Sequence, residues 1–108
     1  MRAYLERSFL LSRYDLSPGT VEQYRIAVRL YERAAGECGF SPEIEAVSLA
    51  TLQAFMAWYT RRVAAATANK KRAMLLSLAE HDADAGLCPP IAAKKLRRLR
   101  ESQPEPDA

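Results

Sequence analysis

Two apolar repeats with helical spacing constrain the fold of this chain more than any other feature. The first has intervals of 3, 4, 3 and 4 residues between its members, which are Val21, Tyr24, Val28, Tyr31 and Ala35. The second keeps the same intervals between Leu49, Leu52, Met56, Tyr59 and Val63. This spacing places all members of a repeat on one face of an α-helix. No segment alternates apolar and polar residues with period two, as a half-buried strand would, so we expect an all-α fold.

Residues that favour helix ends delimit these two helices. Ser17 is a good N-cap for the first helix, and Pro18 suits its first position because the missing N–H needs no partner there. Ser48 is predicted to cap the second helix. The predicted ends are Gly36 and Gly39 for the first helix and the cations Arg61 and Arg62 for the second.

Three further helices are predicted outside the repeats. Residues 3–14 carry apolar residues along one side. Thr67 is a candidate N-cap for a helix that runs to about Ala85 and stops at Gly86, and residues 91–100 form a last short helix after two prolines. Residues 101–108 are polar and proline-rich, which is typical of a linker or a frayed end. We therefore expect a compact bundle of four to five helices over residues 1–100.

Length and composition exclude several classes of protein. The 108 residues fit one domain, and no apolar run approaches the roughly 20 residues that span a bilayer. The first residues include an acid and lack the apolar core of a signal peptide. Cys38 and Cys88 belong to no metal or redox motif. We therefore expect reduced thiols, no metal, no cofactor and a cytoplasmic protein that does not contact membranes.

Positive charge is concentrated in the second half of the chain. Residues 1–58 contain 6 Lys or Arg against 7 Asp or Glu, whereas residues 59–108 contain 10 against 6. Residues 61–100 hold all ten of these cations and only three acids. Such a basic region is typical of nucleic-acid binding, although solubilising lysines can produce the same distribution.

The predicted helix from Thr67 has the wrong charge for a helix start. Lys70, Lys71 and Arg72 follow Thr67 closely, where the helix dipole favours anions. An external phosphate would resolve the conflict, and a solvated basic turn is the alternative. Helical angles place Ala68, Leu75, Leu78 and Ala79 on the inner side, and Asn69, Lys70, Ala73 and Ser77 on the outer side.

The order of three short motifs resembles a known DNA-binding family. The motifs are LSPGTVEQYR at residues 16–25, TANKKR at residues 67–72 and DAGL at residues 84–87. Over about residues 4–100 the chain looks like the SAM-like core-binding domain found at the N-terminus of tyrosine recombinases, the phage integrase family. In that family the helical bundle lies on one side of duplex DNA, and a separate catalytic domain, joined by a basic linker, closes around the other side.

The resemblance and the helical angles together identify candidate DNA contacts, while Tyr24 in the first repeat is expected in the core. The candidates are Thr20, Arg25, Thr67, Asn69, Lys70, Lys71, Arg72, Ala73, Ser77, Lys94, Lys95 and Arg98. The family's tyrosine nucleophile, arginines, histidine motif and lysine lie in the catalytic domain, so we expect a non-catalytic fragment without catalytic residues. The expected partners are duplex DNA, the catalytic domain of the full-length protein and further recombinase protomers on DNA.

Other interpretations stay open at this point. A helical protein-interaction module could use the same basic half to dock an acidic partner. His81, Asp82 and Asp84 could suggest a metal site, but a solvated helix face is the favoured interpretation because no second histidine exists. An enzyme active on its own is the least favoured, since the chain has no phosphate-binding glycine loop and no serine elbow.

Overall fold

The computed structural model describes residues 1–100, which form four helices and two short 3₁₀ turns, without any strand. The prediction of an all-α bundle is confirmed. Helix α1 has three consecutive parts: the α-helical Arg2–Tyr4, the π-helical turn Leu5–Phe9 and the α-helical Leu10–Ser12. The other helices are α2 (Pro18–Cys38), α3 (Leu49–Tyr59) and α4 (Ala65–Asp84), and the 3₁₀ turns are Ile44–Ala46 and Ala93–Lys95.

Helix α2 begins as predicted and ends later than its first glycine. The Ser17 hydroxyl accepts a hydrogen bond from the Thr20 backbone N–H (3.2 Å), and Pro18 is the first helical residue. Gly36 lies inside the helix, so its predicted role as a stop is wrong. Of the two predicted stops, only Gly39 adopts the left-handed conformation, with φ of 82°, and its N–H bonds to the Ala35 carbonyl. A single left-handed residue is enough to end a helix.

Helix α3 is capped in both directions at its start and is shorter than predicted. The Ser48 hydroxyl accepts from the Thr51 N–H (3.2 Å), and the Thr51 hydroxyl accepts from the Ser48 N–H (3.0 Å). The helix ends at Tyr59 rather than reaching Arg61 and Arg62. The Arg62 N–H turns to the Tyr59 carbonyl, and its guanidinium takes the Trp58 carbonyl that a continuing helix would have used (2.6 Å).

The core lies between α2, α3 and α4, with α1 packed across it. Its largest fully buried side chains include Phe9, Tyr31 and Phe55. Tyr24 is buried as expected. The four residues predicted for the inner side of α4, Ala68, Leu75, Leu78 and Ala79, are all buried, which confirms the orientation of that helix. No described helix has the length and apolar character needed to cross a membrane.

The chain after α4 is ordered without being helical, so the predicted helix over residues 91–100 is wrong. Gly86 ends α4 with φ of 77°, as expected, and only the 3₁₀ turn Ala93–Lys95 follows within the described residues. Leu96 is 2% exposed and belongs to the core. The carbonyls of Ala93, Leu96 and Leu99 accept hydrogen bonds from side chains of α4. The predicted linker, residues 101–108, lies outside the described residues.

Candidate nucleic-acid interface

The start of α4 differs from the sequence prediction. Ala64 is the N-cap, in an extended conformation, and its carbonyl accepts the first helical hydrogen bond, from the Ala68 N–H. Thr67 is therefore the third helical residue, and its predicted role as N-cap is wrong. The first turn contains no acid and receives no hydrogen bond from a capping side chain. The three cations of the TANKKR motif consequently begin in the second turn of the helix.

The outer side of α4 borders a shallow groove. Lys70 and Ala73 are exposed, and Ser77 is half-buried one turn further along the same side. The groove brings α4 together with the chain that follows it, because its lining residues are Ala66, Asn69, Lys70, Arg72, Ala73 and Arg98. The predicted outward position is thus correct for Lys70 and Ala73. Their contact with DNA stays a prediction.

Asn69 is placed differently from the prediction. It is 6% exposed rather than outward-facing, and its side-chain amide bonds to the backbone of Leu99 in both directions. The Nδ2 group donates to the Leu99 carbonyl, and Oδ1 accepts from the Leu99 N–H, each at 2.8 Å. Contact with an adenine edge would require these same groups, so a base contact of Asn69 would compete with its bonds to Leu99.

Lys71 and Arg72 also bind within the protein. Lys71 is 6% exposed, and its Nζ donates to Oε1 of Gln23 on α2 (2.6 Å). Burial, and then the charge of Lys70, lower the pKa of Lys71. Arg72 is half-buried and donates to the Leu96 carbonyl through Nε (2.8 Å) and Nη2 (2.5 Å), with a further bond to the Ala93 carbonyl. The charged groups of both side chains are therefore engaged inside the protein, although both were candidate DNA contacts.

The candidates on α2 lie apart from the groove. Arg25 donates to the carboxylate of Glu6 through Nε (2.7 Å) and Nη2 (3.2 Å), and it lines a separate hollow between α1 and α2. Thr20 is half-buried and bonded to the hydroxyl of Ser17. Because Thr20 is one turn before Gln23, it stands on the side of α2 that borders Lys71 and α4.

The cations after α4 divide between two places. Lys94 and Lys95 are exposed, and Lys95 lines an apolar hollow with Val47, Leu49 and Pro90. Arg98 is exposed and lines the α4 groove beside Lys70. Of the three candidates in this segment, the structure brings only Arg98 next to the outer side of α4.

Every ion pair between described residues involves an arginine that precedes α4. Six arginines in the first two thirds of the described chain pair with carboxylates: Arg2, Arg13, Arg25, Arg29, Arg33 and Arg62. Among residues 1–100, no carboxylate pairs with Lys70, Lys71, Arg72, Lys94 or Lys95, since every ion pair found there involves one of those six arginines. The positive charges of Lys70 and Arg72 at the α4 groove are therefore not neutralised by acids of residues 1–100.

The predicted solvated helix face is wrong for Asp82, which is buried, and correct for Asp84, which is exposed. His81 is half-buried between α1 and α4, where Nδ1 meets the Tyr4 hydroxyl and Nε2 lies 3.1 Å from the Ser12 hydroxyl. Asp82 is fully buried. Its burial could have been read from the sequence, because Asp82 follows Leu78 by four residues and Leu75 by seven, on the apolar side of the helix. Residues 1–100 contain no cluster of three or more possible metal ligands.

The sequence matches the model of a known protein family. The model of the phage integrase N-terminal SAM-like domain matches residues 3–81, which is more than half of the chain. The matched range covers α1 to α3 and α4 as far as His81, including Lys70 and Ala73. Comparisons with curated proteins and with solved structures gave no significant match. The four-helix architecture and this match together show that the chain belongs to the family of phage integrase N-terminal SAM-like domains.

Proposed function

We propose that this domain binds duplex DNA as the core-binding half of an integrase-type tyrosine recombinase, with the outer side of α4 against the DNA. The observation that carries the proposal is the group of lysines on and after α4 with which no carboxylate of residues 1–100 pairs, namely Lys70, Lys71, Lys94 and Lys95. Phosphate groups supply the negative charge that this surface lacks, and they dominate the affinity of DNA-binding proteins.

The shape of α4 supports close approach to DNA. Ala73 has no side chain beyond Cβ and lies exposed between Lys70 and Ser77 on the same side of the helix. Lys70 can reach a phosphate or a guanine edge from this position, and Ser77 can bond to a phosphate oxygen. Thr67, exposed in the first turn, adds a hydroxyl beside N–H groups that no side chain caps.

Of the remaining candidates, some are proposed as peripheral contacts and the others are no longer proposed as direct contacts. Arg98 shares the groove with Lys70, and Thr20 lies on the neighbouring side of α2, so both are proposed to contact flanking phosphates. Lys94 and Lys95 are proposed to add long-range attraction. Arg25, Asn69 and Arg72 are withdrawn as direct contacts because their polar groups bond within the protein. Lys71 is withdrawn for the same reason.

We further propose that these residues carry no strand-breaking chemistry of their own. The single histidine, His81, bonds to Tyr4 and Ser12 between two helices and does not face the α4 groove. Incubation of the domain with DNA should accordingly give no covalent protein–DNA adduct. Recovery of such an adduct would contradict this part of the proposal.

The test is a titration of a duplex of arbitrary sequence at low salt. The parent should bind with a dissociation constant of about 10⁻⁴–10⁻⁶ M extrapolated to physiological salt. Lys70→Glu should weaken binding at least about tenfold, since a hydrogen bond to a charged group contributes roughly 1.5–3 kcal/mol. Ala73→Glu should weaken it by placing bulk and negative charge at the point of closest approach. Circular dichroism checks that both variants keep their helices.

Arg7→Glu is the matched control. Arg7 is exposed and lines a hollow with Leu87, beyond the opposite end of α4 from Lys70. At 1.5 Å per residue, about 20 Å of helix separates Lys70 from that end, which is more than the Debye length of roughly 10 Å at 0.1 M salt. The control makes the same change in net charge and should bind almost like the parent. An equal loss in Arg7→Glu and Lys70→Glu would refute the assignment of the face.

An outcome without DNA binding at low salt would reject the proposed function. Binding of an acidic polypeptide such as polyglutamate by the same protein, with loss in Lys70→Glu, would then favour the protein-interaction module. The two functions are thus separated by one titration with two ligands.

A further inference from the structure

The chain that leaves α4 is held against it by two polar side chains. Asn69 bonds to both backbone groups of Leu99, and Arg72 bonds to the carbonyls of Leu96 and Ala93. We use the word clasp for these contacts between Asn69, Arg72 and the backbone of residues 93–99. The two side chains are three residues apart and therefore lie on neighbouring turns of one helix.

Apolar packing alone would not fix where this segment lies. Leu96 is buried, and Leu99 packs partly buried against the core. Apolar contacts are non-directional, so they do not determine which way the backbone N–H and carbonyl groups of the segment face. The amide of Asn69 bonds instead to the N–H and the carbonyl of one residue, Leu99, and a shift of the segment by one residue would break both bonds. The clasp therefore sets the register of the segment along α4.

The register decides the position of Arg98. Arg98 directly precedes Leu99, and it lines the groove beside Lys70 and Ala73. A shift of the segment by one residue would carry the Arg98 side chain away from this groove, because neighbouring side chains of an extended chain point to different sides. Arg72 binds carbonyls rather than a carboxylate, so its charge also remains beside the groove.

We propose that Asn69 and Arg72 are positioning residues that hold the segment after α4 so that Arg98 joins Lys70 in one DNA-contacting surface. This inference rests on the proposed DNA binding and deepens it. Asn69 and Arg72 act through Arg98 and need not touch DNA themselves. The chain that would lead toward a following domain then starts from the DNA-binding surface in a fixed direction.

The experiment is a double-mutant cycle between Asn69→Ala and Arg98→Ala, measured on the full chain with duplex DNA. Asn69→Ala replaces one neutral side chain by another, so any change in salt dependence cannot result from a charge removed by this substitution. In the parent background Arg98→Ala should reduce the slope of log affinity against log salt by about 0.9, the value for one phosphate contact. In the Asn69→Ala background the same substitution should have almost no further effect.

Trypsin cleavage without DNA provides a readout of the clasp itself. Lys94, Lys95 and Arg98 are exposed cleavage sites within or beside the held segment. Cleavage there should be faster in Asn69→Ala than in the parent, while helicity stays the same. Arg72→Met, which keeps the aliphatic stem and removes the hydrogen bonds, is the second variant and should give the same result if Asn69→Ala proves less helical.

The outcomes separate the two proposals. If the parent binds DNA and Arg98→Ala lowers the slope equally in both backgrounds, the positioning role is overturned while the DNA-binding function stands. Unchanged cleavage in Asn69→Ala and Arg72→Met would overturn it as well. If the parent does not bind DNA, the proposed function fails and the inference fails with it.

Discussion

Asp82 offers a sharp test of the packing described above, because it is a fully buried carboxyl group on the apolar side of α4. Within residues 1–100 neither of its oxygens has a hydrogen-bond partner. Burial raises the pKa of Asp82 most, and the charge of Glu45 adds to this, while Cys88, His81 and the N-terminal amine act in the opposite direction. The neighbouring thiol shows the same environment, since burial and Asp82 raise the pKa of Cys88 to about 12.

The perturbation is Asp82→Asn, which keeps the shape of the side chain and replaces the titratable carboxyl group by a neutral amide. Well below pH 4 the carboxyl is protonated in both the folded and the unfolded chain, so variant and parent should respond alike to pH. Above pH 4 the unfolded chain releases the proton while the folded chain holds it with higher affinity. The parent should then lose stability relative to the variant as the pH rises toward and through the raised pKa.

The size of this effect follows from the proton affinity. Each tenfold rise in proton affinity on folding corresponds to about 1.4 kcal/mol, and the free-energy difference between parent and variant grows by at most about 1.4 kcal/mol per pH unit. For a domain of this size, about 1.4 kcal/mol corresponds to a change in Tm of roughly 5–11 °C. We therefore expect Asp82→Asn to melt several degrees above the parent at pH 7 and to lose most of this advantage near pH 4.

The assay is urea or thermal unfolding of both proteins between pH 4 and pH 8. Asp84→Asn is the matched control, because Asp84 is an exposed carboxylate two residues further along the same helix. Its effect on the free energy of unfolding should stay within about 0.5 kcal/mol. A difference between Asp82→Asn and the parent that is constant from pH 4 to pH 8 would refute the reasoning, and so would a less stable variant at pH 7.

Two further predictions concern the ends of helices and the segment after α4. Ser48→Ala removes one half of the reciprocal cap of α3 and should cost about 1 kcal/mol, seen as a fall in Tm of roughly 4–8 °C; an unchanged Tm would contradict the capping role. Leu96→Ala should cost about 2–5 kcal/mol in urea unfolding, because Leu96 is buried with the helices. Leu11→Ala, on a residue that is 71% exposed, is its control, and equal effects of the two would show that residues after α4 are not part of the folded unit.

The helices and their buried faces could be predicted from the sequence because periodicity and capping are local properties. The intervals in the first repeat and the Ser17–Pro18 start located α2, and the angles around Leu75 located the inner side of α4. Gly39 and Gly86 were visible as ends because only glycine readily adopts the left-handed conformation there. Each of these features depends on residues that are close in sequence, so none requires knowledge of contacts between distant parts of the chain.

The candidate site was less predictable because its polar residues bond to parts of the chain that are distant in sequence. Asn69 is about thirty residues from Leu99, and Lys71 is separated from Gln23 by 48 positions. No pattern within α4 indicates that these side chains have partners, so both became candidate DNA contacts from helical angle or charge alone. The absence of the predicted helix over residues 91–100 has the same origin, because Arg72 and Asn69 bind the carbonyls of Leu96 and Leu99.

The separation of paired and unpaired cations has a kinetic consequence. Along the described chain, the ion-paired arginines stand before α4, whereas the lysines of α4 and of the segment after it form no ion pair with a carboxylate of residues 1–100. A molecule with such an uneven charge distribution is rotated as well as attracted by the field of a polyanion. It approaches with α4 leading, and fewer collisions are spent in unproductive orientations. Rising ionic strength should therefore slow association far more than it speeds dissociation.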